Sequence, residues 1–215
     1  MPAYDWSDPV LLHFRCAASE LAAAVPAPLA IREVGGSAWV TALSFVAERW
    51  RLAGRRGPRV PQLELLTYVD GPLGAGGYLL GLDVDSALGA AGASLMWASK
   101  AERAELRTRH WGTDHRVEVR RGGEERLTTL LRELAEPAAP EADAAALLEL
   151  PRMYAGEAGN VRCAALTLGP WRVAPCDAVE LSAPAVRALA PGATLGLAQV
   201  AERVEVEQAR PVRVR

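Results

Sequence analysis

Short runs of apolar and β-branched residues, each closed by glycine or proline, recur along the chain, and this spacing constrains the fold most. "QLELLTYVD" (62–70), the turn "GPLGAGG" and "YLLGLDVD" (78–85) read as two strands of a hairpin. Further strands are expected at 9–16, 37–46, 104–111, 115–121, 160–169 and 171–181, and again from residue 194 to the end. Helices are expected in "ASELAAAVP", where Ser19 is placed to cap and Pro26 to stop, and at 86–96, 127–135 and 183–191. "EPAAPEADA" reads as a flexible connection. There is no regular βαβ alternation and no repeat of fixed period. The expected fold is mainly β: an antiparallel barrel or closed sandwich with a few short helices, as one domain over residues 1–215.

Composition narrows the function classes. A net charge of −2 with scattered arginines, clustered only at Arg55–Arg56 and Arg120–Arg121, argues against a nucleic-acid partner. Cys16, Cys163 and Cys176 form no CxxC pair, which argues against a disulfide framework or a zinc knuckle. The opening "MPAYDWSDPV" has neither a basic nor an apolar leader region, and no apolar run reaches the roughly 20 residues of a membrane span. The sequence therefore predicts a cytoplasmic bacterial protein without membrane partners.

Several motifs lead nowhere. "GPLGAGG" is glycine-rich, but no Gly-Lys-Ser follows and no long helix opens on it, so a hairpin turn is the better reading. "HWGTDH" gathers His110, Asp114 and His115, yet a third ligand at useful spacing is missing, so a polar hairpin tip is expected and no metal. No serine stands in a nucleophile elbow, and no cofactor is expected.

One residue stands out. Of 24 lysines and arginines only Lys100 is a lysine, and it follows Met96 and Trp97. It reads either as a solvated charge in "KAERAEL" or as an amine held at the mouth of an apolar cavity. In the second case burial lowers the lysine pKa, and the neutral amine can condense with a ketone, which arginine cannot do.

The order of these elements resembles the acetoacetate decarboxylase-like superfamily, most clearly over Leu11–Glu102 and in its small bacterial branch. "FRCAASELAAAVPAPLAI" is similar to that family's opening strand, short helix and "VP-x-P-L" segment. "QLELLTYVDGPLGAGGYLLGLDVDSALGAAG" is similar to its paired strands leading into a helix. The resemblance implies that Lys100 is the Schiff-base lysine and that Glu64 is the strand glutamate turned into the cavity. Four positions depart from the pattern. Ala101 stands where the second lysine would be, Ala93 and Ser94 replace the helix Arg and Glu, and Ser7 lies near the place of a further arginine. The resemblance also implies a possible homo-oligomer.

The expected activity is that of a lyase acting on an apolar ketone or β-keto acid, a secondary-metabolite intermediate being one candidate. Lys100 forms the iminium and Glu64 handles protons. Trp39, Phe45, Leu80 and Trp97 are expected to line the cavity, with Met96, Tyr68 and Arg15 also contacting substrate. Two alternatives stand beside it: a non-covalent cyclase using Glu64 or Tyr68 as acid or base, and a binding protein without turnover.

Overall fold

The computed structural model describes residues 3–49, 51–52, 55–97 and 101–214. In chain order the first half forms β1 (Ala3–Cys16), α1 (Ala18–Leu21), β2 (Ala30–Ile31), β3 (Ala38–Glu48), β4 (Arg51–Leu52), β5 (Arg55–Arg56), β6 (Val60–Gly71), β7 (Gly74–Val84), α2 (Ala87–Trp97) and β8 (Ala101–Arg103). The second half adds β9 (Glu105–Trp111), β10 (Asp114–Arg121), β11 (Glu124–Glu133), α3 (Ala142–Leu148), β12 (Arg152–Ala155), β13 (Arg162–Leu168), β14 (Val173–Ser182), α4 (Pro184–Leu189), β15 (Thr194–Ala201), β16 (Val204–Gln208) and β17 (Val212–Arg213).

Seven strands close on themselves in the order β1-β3-β6-β7-β12-β13-β16 and back to β1. Every pairing in the ring is antiparallel except β7 with β12. A second sheet, β15-β14-β11-β10-β9, branches from β1. The expected closed, mainly β architecture is thus present, and full closure removes the exposed edges an open sheet would carry.

The branch point has a local cause. Ala3–Trp6 of β1 pair with β16, whereas Val10–Arg15 pair with β15. Between them the register against β3 slips by one residue, and Asp8 takes a positive φ of 51°. Aspartate tolerates that conformation better than most residues. The extra residue reverses the inward-facing parity, so Trp6 and Leu11 both point into the barrel.

Two cores result. The barrel interior holds Trp6, Leu11, Trp39, Leu43, Phe45, Leu66, Tyr68, Leu82 and Trp97. Trp6 anchors it, with ring centroids 4.8 Å from Phe45 and 6.0 Å from Trp171. Such tilted aromatic pairs add about 1 kcal/mol each beyond their buried area. The second core lies between the outer faces of β1, β3 and β6 and the second sheet: Leu12, Phe14, Val40 and Leu65 meet Leu106, Val117, Leu127 and Leu131. A buried carboxylate links the two layers: Asp83 on β7 pairs with Arg121 at 2.6 Å and Arg126 at 3.4 Å.

Two sequence expectations fail here. Residues 127–135 were expected as a helix, but Glu124–Glu133 is a strand. Gly122 and Gly123 both take positive φ, which turns β10 into β11, and Leu127, Thr129 and Leu131 then alternate into the second core. The run "EPAAPEADA" is not wholly irregular either, because α3 begins in it. Leu147, Leu148 and Leu150 pack into the barrel interior.

Candidate active site in the barrel

β6 runs along the barrel wall with Val60, Leu66 and Tyr68 facing in, and strand parity puts Glu64 on the same face. The barrel is plugged at both ends of this strand. At the Val60 end α2 packs so closely that a Cβ on Gly89 would lie 3.3 Å from Val60 Cγ1. At the other end the Tyr68 hydroxyl donates to the Leu147 carbonyl of α3 at 2.7 Å. Glu64 sits between these plugs. Its residue is only half-buried by area, but Oε2 is sealed from solvent and has no hydrogen-bond partner among the described residues. Desolvation raises its pKa from 4.5 to about 7, so the carboxyl exchanges its proton near neutrality. Tyr4 lies close enough to feel that charge: burial first, and Glu64 second, push its phenol well above the usual range. The Tyr4 hydroxyl donates to Gln208 Oε1 at 3.1 Å, and Gln208 is itself buried.

β8 brings Ala101, the residue after Lys100 in sequence, to this wall. Ala101 is the Cα partner of Leu82, which is in turn the partner of Glu64. Ser94 Oγ accepts a hydrogen bond from the Ala101 amide at 2.9 Å, which ties α2 to the start of β8. Ser94 and Ala101, two of the positions that depart from the decarboxylase pattern, therefore touch each other. Arg162 reaches the end of α2 from β13 and donates to the carbonyls of Leu95 and Met96 at 3.0 and 2.9 Å, satisfying groups a helix end leaves open. Lys100 itself lies outside the described residues.

The other expected site residues divide. Trp39, Phe45, Tyr68 and Trp97 all belong to the barrel interior with Glu64. Leu80 does not. The β6–β7 register slips between Leu65 and Leu66, leaving Leu80 as the extra residue. Leu79 and Leu82 point inward and Leu80 packs against the outer clusters. Met96 is exposed at the rim, with its sulfur 3.7 Å from Gln208 Nε2. Arg15 is exposed too, its guanidinium 5.0 Å over the Trp39 ring. That ring fits because position 196 is glycine: a Cβ there would lie 2.9 Å from Trp39 Cζ3.

Reading the sequence missed a polar chain inside the barrel. His13 Nδ1 bonds Thr41 Oγ1 at 2.8 Å, and Thr41 Oγ1 bonds the Tyr68 hydroxyl at 2.9 Å. His13 Nε2 and Gln199 Oε1 are buried without hydrogen-bond partners among the described residues. Burial lowers the His13 pKa from 6.5 to about 4, which keeps the ring neutral. The available signal was His13 in "VLLHFRC": a lone polar residue at an inward strand position. With its proton committed to Leu147 and its pKa raised by burial, Tyr68 is held as a structural donor rather than an acid.

No curated protein matches the chain. Solved structures match its fold along nearly its whole length. The enduracididine biosynthesis enzyme MppR is 12% identical with a TM-score of 0.72, covering 100% of this chain and 88% of its own. An acetoacetate decarboxylase-like enzyme from Sphingomonas wittichii RW1 is also 12% identical, with a TM-score of 0.73 and coverages of 99% and 92%. The acetoacetate decarboxylase of Legionella pneumophila gives 12%, 0.69, 99% and 87%. These likenesses establish the acetoacetate decarboxylase-like fold. A family model matches residues 3–204, and the chain accordingly belongs to the family DUF2071, described as "Uncharacterized conserved protein".

Proposed function

We propose that the protein is a lyase-type enzyme that condenses the ketone of an apolar keto substrate with Lys100. The observation that carries this reading is Glu64: a carboxyl with one oxygen sealed and unpartnered on the apolar face of the barrel, its pKa raised to about 7, paired with Leu82, which in turn pairs with Ala101. In the reaction the neutral lysine nitrogen attacks the carbonyl carbon, water leaves, and a cationic iminium forms. Loss of CO₂, or of a proton α to the carbonyl, sends its electron pair into the iminium and gives an enamine. Protonated Glu64 then supplies the proton that returns to carbon. The aromatic wall of Trp39, Phe45 and Trp97 favours a larger, more apolar substrate than acetoacetate. Of the proteins sharing this fold, MppR has been captured with pyruvate, which makes pyruvate a sensible first probe.

A second reading keeps Glu64 and drops the lysine. A carboxyl poised near neutrality beside Tyr4 can act alone as acid or base in a non-covalent cyclisation. Borohydride reduction in the presence of pyruvate, acetoacetate and longer-chain β-keto acids separates the two. The covalent reading expects a reduced adduct whose mass maps to the peptide containing Lys100 and disappears in Lys100→Ala. No adduct with any of these ketones, from a folded protein, overturns it. Turnover surviving in Lys100→Ala favours the second reading, and absence of turnover with retained ligand binding favours a binding protein.

A further inference from the structure

The hairpin tip "HWGTDH" gains from the fold what its sequence lacks. His110 and His115 are Cα partners across β9 and β10, and their rings stack at 4.2 Å with planes 11° apart. From β11, 18 residues further on, Glu133 brings Oε1 to 2.5 Å from His115 Nε2. One ligand atom from each of the three lies within 4.8 Å of the others. Among the described residues this is the one such group of potential metal ligands, and it belongs to the second sheet, not to the barrel.

We infer that His110, His115 and Glu133 form a surface site for a borderline divalent cation of the zinc class. Three observations carry the inference. The donor set is two imidazoles and one carboxylate, which suits zinc, cobalt or nickel better than magnesium or calcium. His110 Nε2 already bonds the Gly112 carbonyl at 2.8 Å, which leaves Nδ1 as the ring's free donor. A histidine ligand normally shares its other ring N–H with a backbone carbonyl in this way. The nearby Asp114 is engaged by Arg132 at 2.8 and 3.1 Å, so the carboxylate at the hairpin tip does not compete.

Closure needs little movement. Tetrahedral zinc with bonds of about 2.1 Å sets its ligand atoms about 3.4 Å apart. His110 is exposed, and His115 and Glu133 are partly so; side-chain rotation therefore suffices. The ion would take the place of the His115–Glu133 contact and tie together three neighbouring strands, β9, β10 and β11, the first of which ends the sheet. Three protein ligands leave a fourth position for water.

The test is calorimetric titration of tag-free, chelator-stripped protein with zinc chloride. The expected result is saturable 1:1 binding, weakened roughly tenfold or more in His110→Ala, His115→Ala and Glu133→Gln. His110 is exposed, so its variant keeps the assay valid even if another variant folds poorly. Absence of saturable 1:1 binding, or unchanged affinity in folded His110→Ala, overturns the assignment.

Discussion

Glu64 and Ala101 lie in one row of the barrel wall, joined through Leu82, which is the Cα partner of both. The residue that follows Lys100 in sequence therefore lies one strand pairing from a carboxyl whose pKa burial raises to about 7.

That carboxyl gives the first prediction. The folded pKa of Glu64 is about 7, against an ordinary 4.5, so the native state holds the proton more tightly than the unfolded chain. Its stabilising contribution is complete below pH 4.5 and is lost as pH rises through 7. Glu64→Gln removes the titration. Its stability relative to wild type should rise between pH 4.5 and 8 by on the order of 3 kcal/mol. Urea denaturation at the two pH values measures this, and a pH-independent difference contradicts the buried carboxyl.

His13 has the opposite sign. Its folded pKa is lowered from 6.5 to about 4, so its contribution is present above pH 6.5 and lost as pH falls through 4. The stability of His13→Leu relative to wild type should therefore rise by on the order of 3 kcal/mol as pH falls from 7 to 4, which urea denaturation at the two pH values measures. Thr41 remains bonded to Tyr68 in this variant, so no new orphan hydroxyl confuses the comparison.

Asp83 is buried between Arg121 and Arg126, and Asp83→Ala leaves two partly buried guanidinium groups without it. We expect a loss of about 2 kcal/mol, below the cost for a fully buried pair because both arginines reach solvent. Denaturant midpoints of the single variant and of Asp83→Ala/Arg121→Ala check it. The double variant should be less destabilised than the two single costs added together.

At position 196 an added side chain meets Trp39 at 2.9 Å and the Arg15 stem at 3.1 Å. Gly196→Val should destabilise by about 2 kcal/mol through overpacking and shift the near-ultraviolet circular dichroism of the tryptophans. An unchanged spectrum and midpoint would show that the wall around Trp39 is loose.

How far these features were legible in the sequence depends on the interaction behind each. The "QLELLTYVD"/"YLLGLDVD" hairpin follows from alternation and turn residues, which are local signals, whereas the inward placing of Glu64 comes from the family resemblance. Leu80 was misread because a single extra residue in β7 inverts the alternation, and nothing nearby in sequence announces that slip. "LTTLLRELA" reads as a helix by composition, but the two positive-φ glycines before it and the second core facing it make it a strand. The chain from His13 through Thr41 to Tyr68, and the meeting of Glu133 with two histidines, arise from pairing between strands far apart in sequence.

The covalent account stands on the protonation of Lys100, and the composition makes that directly measurable. The chain has one lysine, so protein grown with ¹³C-labelled lysine gives one side-chain ε-carbon resonance to follow through a pH titration. The account predicts a midpoint lowered to about 8 or below, as a desolvated amine requires for attack near neutrality. A midpoint at about 10.4, the value of a lysine in water, would contradict it.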